Sequence, residues 1–162
     1  KNSNLYKMTL DEILSISGRP GLFKIVTRTR NGFIAESLID KKKLNVNMHN
    51  NVSVLSEIAI YTLSEEVPLK EVLNKIKDNE NAEPTKISHK APKIELEEYF
   101  FGILPDYDED RVYASDIKKI IQWYNLLQQQ DMLEVLEDEH EAQAQEKVET
   151  ETKNKAGSSE EE

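Results

Sequence analysis

The sequence contains no cysteine, which excludes disulfide bonds, thiolate catalysis and sulfur-rich zinc sites while leaving any redox compartment open. No apolar run is long enough to cross a bilayer, and the stretch KNSNLYKMTLDEIL lacks the unbroken apolar core of a signal peptide. These absences lead to the expectation of a soluble, cytoplasmic protein with no membrane partner. Catalytic signatures are missing as well: there is no glycine-rich phosphate loop, no nucleophile elbow and no His-Glu pair on a predicted helix. The three histidines, His49, His89 and His140, fall in a predicted turn, a linker and a tail, with no two at ligand spacing. Neither a cofactor nor an enzymatic activity is expected.

What is present is a 162-residue chain whose 38% hydrophobic content fills one modest core or two small ones. Its net charge of -10 is unevenly placed: residues 1–92 carry +3, residues 93–133 carry -5 and residues 134–162 carry -8. Segments so different in sign should have different solvent and partner roles.

Thr9-Leu-Asp-Glu12 has the form of a capping box, Leu10, Ile13 and Leu14 make a narrow stripe, and Gly18 suits a left-handed cap, so a short helix over about residues 10–17 is predicted. Pro20-Gly21 suits a type II turn. From Leu22 the apolar period becomes two. LFKIVTRTR, Asn31-Gly32 and FIAESLI read as a hairpin with a type I′ turn, which pairs Arg30 with Phe33, Arg28 with Ala35 and Ile25 with Leu38. Phe23, Ile25, Ile34 and Leu38 then share the core face, and Lys24, Arg28, Arg30 and Phe33 the other. Leu44, Val46 and Met48 alternate inward along the next strand, and Val52 to Thr62 supplies one or two more, of which IAIYT is the clearer. Strands this short bury a face by curling into a small sheet or barrel.

Pro68 starts a helix with Leu69, Val72, Leu73 and Ile76 on one side. Residues 79–92 show no period and read as a linker. Leu96, Tyr99, Phe100, Ile103 and Leu104 mark a helix ended by Pro105; after an acidic loop, Ser115 can cap another, striped by Ile117, Ile120, Ile121, Tyr124 and Leu127. This hairpin has a thin core and must pack on the barrel, on a partner or on another copy. From Glu134 onward the composition cannot offset the entropy of ordering, and a disordered acidic tail is predicted. The expected organisation is thus α+β: a small β-barrel domain with flanking helices over 8–78, a linker over 79–92, a helical hairpin over 93–133 and a tail over 134–162.

The segments SISGRPGLFKIV, NGFIAESL, EEVPLKEV and PDYDEDRVYASDIKKIIQWYNLL, in that order, resemble a bacterial family of unknown function in which a small SH3-like N-terminal domain precedes a helical C-terminal domain. The resemblance covers roughly Met8 to Leu133. It implies an SH3-like barrel and brings no activity, ligand or catalytic residue with it.

Asp106, Asp108 and Asp110 alternate as the opening ligands of a calcium loop do, yet loop position six would be Arg111 and position twelve Ile117, where glycine and a bidentate Glu are needed. The loop is therefore read as an acidic connector, with Asp116 complementing the next helix dipole and no metal expected. A stronger candidate is a basic face of Lys24, Arg28, Arg30, Lys41, Lys42 and Lys43 around Phe33, since a positive groove with a stacking aromatic binds single strands. Charged side chains also keep a sheet face wet and its edges unpaired, and overall acidity opposes attraction to phosphate. Trp123 lies about 100° from the stripe through Tyr124 and is a candidate protein-binding residue if exposed there. These weights favour a non-enzymatic interaction module or adaptor in a bacterial cytoplasm, with a protein partner. An RNA- or DNA-associated accessory protein is the second reading, and the tail is expected to act on the basic face in cis.

Overall fold

The computed structural model describes residues 7–47, 49 and 51–137; Met48, His140 and the predicted tail beyond Glu137 lie outside the described residues. Seven strands come first: β1 Ile13–Ile16, β2 Phe23–Arg28, β3 Gly32–Ser37, β4 Lys43–Asn47, β5 Val52–Val54, β6 Ala59–Tyr61 and β7 Glu66–Pro68. Helices α1 Leu69–Asn79, α2 Lys93–Ile103 and α3 Ala114–Gln129 follow. The strands form one five-stranded antiparallel sheet in the order β4-β3-β2-β1-β5 and a separate two-stranded sheet, β6-β7.

The fold is α+β, but the expected SH3-like barrel is not there, because neither sheet closes. The edges of the larger sheet, β4 and β5, share no ladder. Only residues 48–51 join them, a connection that reaches about 17 Å from Asn47 to Val52 when fully extended. Five flat strands would set those edges ~19 Å apart, so the sheet must curl even though it stays open. The strand expected to complete a barrel, IAIYT, is led away from it. A 3-10 turn at Leu55–Glu57 reverses the chain, and Leu69 N–H donates to the Ile58 carbonyl at 2.8 Å, committing β6 to β7.

The first predicted helix is also corrected. Thr9 does cap a turn, its hydroxyl accepting from Asp11 N–H at 3.3 Å, but the turn is a three-residue 3-10 helix at Leu10–Glu12. Ile13, Leu14 and Ile16 continue as β1, between β2 and β5. Their alternation is what a helix would waste: Ile13 enters the large core with Leu22, Leu38 and Leu55, while Leu14 and Ile16 join Phe23, Ala35 and Val46 in a second, smaller core.

The β2–β3 register differs from expectation by two residues at Arg28 and by three at Ile25, which faces Ala35 and not Leu38. Arg28 faces Phe33 and Thr27 faces Ile34, with a bulge between Ile25 and Thr27, and the turn residues are Arg30-Asn31, since Thr29 N–H donates to the Gly32 carbonyl at 2.9 Å. Gly32 is a strand residue pairing with Asn47, and a Cβ built there would lie 1.9 Å from the Val46 carbonyl oxygen. Its use is close approach of two backbones, not positive torsion. With that register Phe33 shares the inner face with Ile25, Leu44 and Val46.

Helix α1 matches expectation, with Leu69, Val72, Leu73 and Ile76 buried, as do the stripes Leu96, Phe100, Ile103 and Ile117, Ile120, Ile121, Tyr124, Leu127. The cap of α3 is Tyr113 rather than Ser115: Asp116 Oδ2 accepts the Tyr113 N–H at 2.9 Å. One continuous core joins Leu10 and Ile13 to all three helices, so the helical hairpin packs on the N-terminal part of its own chain. Residues of the predicted linker are bound into that arrangement. Thr85 N–H donates to Asn125 Oδ1 at 3.0 Å, Asn125 Nδ2 donates to Thr85 Oγ1 at 2.9 Å, and the Tyr124 hydroxyl donates to the Glu83 carbonyl at 2.8 Å. Val135 and Leu136, assigned to the tail on composition, are buried in a 3-10 turn, and the Leu136 carbonyl accepts from Asn74 Nδ2 at 2.8 Å.

Candidate functional site

Strand β6 has two neighbours. Its even-numbered residues bond toward β7, as the 2.8 Å bonds from Leu69 N–H to Ile58 C=O and from Thr62 N–H to Glu65 C=O show. Odd-numbered residues therefore point their peptide groups the other way. There the Tyr61 carbonyl accepts from Asp108 N–H at 3.0 Å, and Leu63 N–H donates to the Asp106 carbonyl at 2.9 Å. The acidic loop is thus a partial third strand. Toward Ala59 the edge is open: by the same alternation the Ala59 peptide groups and Tyr61 N–H point outward, and among the described residues no bond beyond the ladder reaches them.

This open edge borders a cleft of about 210 Å³ between β6 and α3. Ile58, Ile60, Val112, Ile120 and Trp123 supply its apolar surface. Trp123 is 8% exposed and forms a wall of the cleft, so the exposure on which its candidacy from angular position depended is small. Tyr61, Arg111, Asp116 and Lys119 form the polar rim. The Arg111 guanidinium carbon sits 4.2 Å from the Tyr61 ring centroid while its Nε holds Asp108 Oδ2 at 2.9 Å. The hydrogen bond from Arg111 and that from Asp110 N–H hold the Asp108 carboxyl below the usual carboxylate range. Lys119 has no ion-pair partner among the described residues. An apolar trough with a rim of mixed charge and an open strand edge offers the features that an extended segment uses when it adds to a sheet.

The residues of the predicted basic face are not brought together. Lys24 reaches across to Glu36 at 3.7 Å and lies on the face opposite Phe33. Phe33 is half-buried against the smaller core, which removes it as a wet stacking surface. Arg28 stands opposite Phe33, Arg30 is in the turn, and Lys41 adopts φ 64° with its ammonium on Gln130. Lys42 and Lys43 are exposed at the start of β4 and alternate between faces. Asp106, Asp108 and Asp110 form backbone bridges and an ion pair, and no group of three potential metal ligands occurs among the described residues. His49 is exposed with its N–H on Asn47 Oδ1, and His89 is half-buried in the 79–92 segment.

Two features escaped sequence reasoning. Glu80, at the end of α1, is 3% exposed and accepts from the Tyr99 hydroxyl at 2.6 Å and from Lys86 N–H at 3.2 Å. Nothing in a linker-like composition marks a carboxylate for burial. The free edge of β6 carries only the small Ala59 between two isoleucines, a lack of edge charge that is the one signal available. No described helix is long and apolar enough to cross a membrane.

The family described as Domain of unknown function (DUF5606) matches residues 10–55, and Domain of unknown function (DUF6852) matches residues 58–127. The two matches meet at the 3-10 turn that separates the two sheets. A solution NMR structure from Bacteroides vulgatus is 44% identical over 76% of this chain and 89% of that one, with a TM-score of 0.64. Among curated proteins none matches.

Proposed function

This chain belongs to the same family as that Bacteroides vulgatus protein, and we propose that it is a non-enzymatic interaction module of a bacterial cytoplasm that receives an extended segment of a partner protein in the β6–α3 cleft. The single observation that carries the reading is the unpaired outward edge at Ala59 alongside the Trp123 wall. Main-chain hydrogen bonds to an edge supply affinity, and the side chains that alternate along an added strand meet specific surfaces. Ile120 and Trp123 favour apolar or β-branched side chains on the inner face, whereas Lys119, unpaired among the described residues, favours an acidic one at the rim, beside Asp116 and the Arg111–Asp108 pair. Nucleic-acid binding receives less support, because the cations proposed for it are split between faces and turns and Lys24 is already paired.

The test is selection of displayed peptides on the full chain, repeated on an Ala59→Pro variant. Proline at 59 removes only an outward N–H, because Ala59 faces Pro68 in a pair whose bonds point elsewhere. Selected peptides should alternate β-branched and acidic residues and should bind the variant at least about tenfold more weakly. Peptides that bind both chains equally well, or no enrichment at all, would remove the reading.

A further inference from the structure

The outward edge of β6 is half used. The segment around Asp106–Asp108 bonds to Tyr61 and Leu63 and leaves the Ala59 end uncovered. A short extended segment placed there would continue the third strand, with alternate side chains on two unlike surfaces. Toward α3 it would meet Ile120 and Trp123. Toward solvent it would meet Tyr61 with the Arg111 guanidinium stacked on it, and Lys119 at the rim.

The chain carries that alternation in its own C-terminal segment: Val148-Glu149-Thr150-Glu151-Thr152. Val148, Thr150 and Thr152 are β-branched and would fall on one face of a strand, with Glu149 and Glu151 on the other. Residues 138–162 hold nine acidic and three basic residues, and the glutamates of the added strand would meet Lys119, which has no ion-pair partner among the described residues; Arg111 is already held by Asp108, and Asp116 shares the rim. Reach is no obstacle. Glu137 and Pro68 border the same depression, and Pro68 lies across the β6–β7 ladder from Ala59. The stretch from Glu137 to Val148 extends to ~36 Å, whereas two strand spacings amount to about 10 Å.

We propose that Val148–Thr152 docks on the open edge of β6 as an added strand, covering the Trp123 cleft in cis until a partner segment displaces it. The proposal rests on the reading of the cleft as a strand acceptor. Tethering makes the contact intramolecular, so three or so edge hydrogen bonds suffice where a free peptide of the same sequence would bind weakly.

Thr150→Pro in the full chain tests it, because proline withdraws a strand N–H without touching any described residue. Amide exchange at Ala59 and Tyr61 should accelerate about tenfold in the variant while the amides of Leu73 and Ile121 keep their protection. Trp123 is the single tryptophan, so acrylamide quenching of its emission should rise in parallel, and adding a peptide of residues 147–153 should reverse both changes. Unchanged exchange and quenching in the variant would overturn the proposal. Protection that disappears on dilution of the unmodified chain would overturn it as well, since tethered docking does not depend on concentration. If displayed peptides still select for the Ala59 edge while Thr150→Pro changes nothing, the cleft reading stands and the assignment of this segment alone fails.

Discussion

Tyr99 on α2 donates its hydroxyl to Glu80 Oε2 at 2.6 Å, and Glu80, at the C-terminal cap of α1, is buried. The pair ties two helices that the sequence separates by a polar segment. Burial, then the bond to Glu80, holds the Tyr99 phenol well above its ordinary range.

Removing that hydroxyl leaves a buried carboxylate with one donor fewer. Tyr99→Phe is expected to destabilise the protein by about 1.5–3 kcal/mol, the range for a hydrogen bond to a charged group. Urea unfolding with an unchanged slope measures it; a shift within error of zero would mean that Glu80 recruits another donor.

Stability should also fall in alkali. Burial, and then the charges of Glu80 and Glu83, push the Tyr124 phenol from 10.0 up to about 12. A phenol whose folded pKa is raised contributes stability that is complete below the unfolded value of 10.0 and is lost as pH rises through about 12. Unfolding midpoints should therefore drop across that window, and Tyr124→Phe should flatten the drop.

Gly32 and Gly18 should respond very differently to alanine. At Gly32 the added Cβ meets the Val46 carbonyl oxygen at 1.9 Å, so β3 and β4 must part, at a cost of at least ~3 kcal/mol. At Gly18, φ +82° with nothing within 4 Å, the cost is the left-handed torsion alone, roughly 1 kcal/mol. Comparing the two midpoints checks the register directly.

The Arg111–Asp108 contact predicts a local titration. In Arg111→Gln the Asp108 carboxyl carbon, followed by NMR, should titrate closer to its ordinary 3.8 than it does in the unmodified chain. In the unmodified chain the contact holds above 3.8 and is lost as pH falls through the depressed value. An unaltered titration would show that the Asp110 N–H alone holds the carboxylate.

Much of the helical half was legible in the sequence, because a helix that packs one side writes that side every three to four residues, as Val72, Leu73 and Ile76 or Ile117, Ile120, Ile121 and Tyr124 do. The strand half was legible as strands but not as a sheet. Period two shows that Phe23, Ile25 and Val46 alternate; it does not show which strand lies beside which. Asn31-Gly32 carried a strong turn signal, and the signal was outweighed by the need for a residue without a side chain against the Val46 carbonyl.

The sequence by itself determined the α+β class, the helices with their buried stripes and the lack of thiol chemistry, since these depend on residue type and local period. Only the tertiary structure decided that β1 replaces a helix, that β6 leaves the larger sheet for β7, that Glu80 is buried and that Trp123 walls a cleft beside an open edge. The physical reason is that backbone pairing and close approach are set by partners remote in the chain, and a free edge exists only once every other strand has been placed.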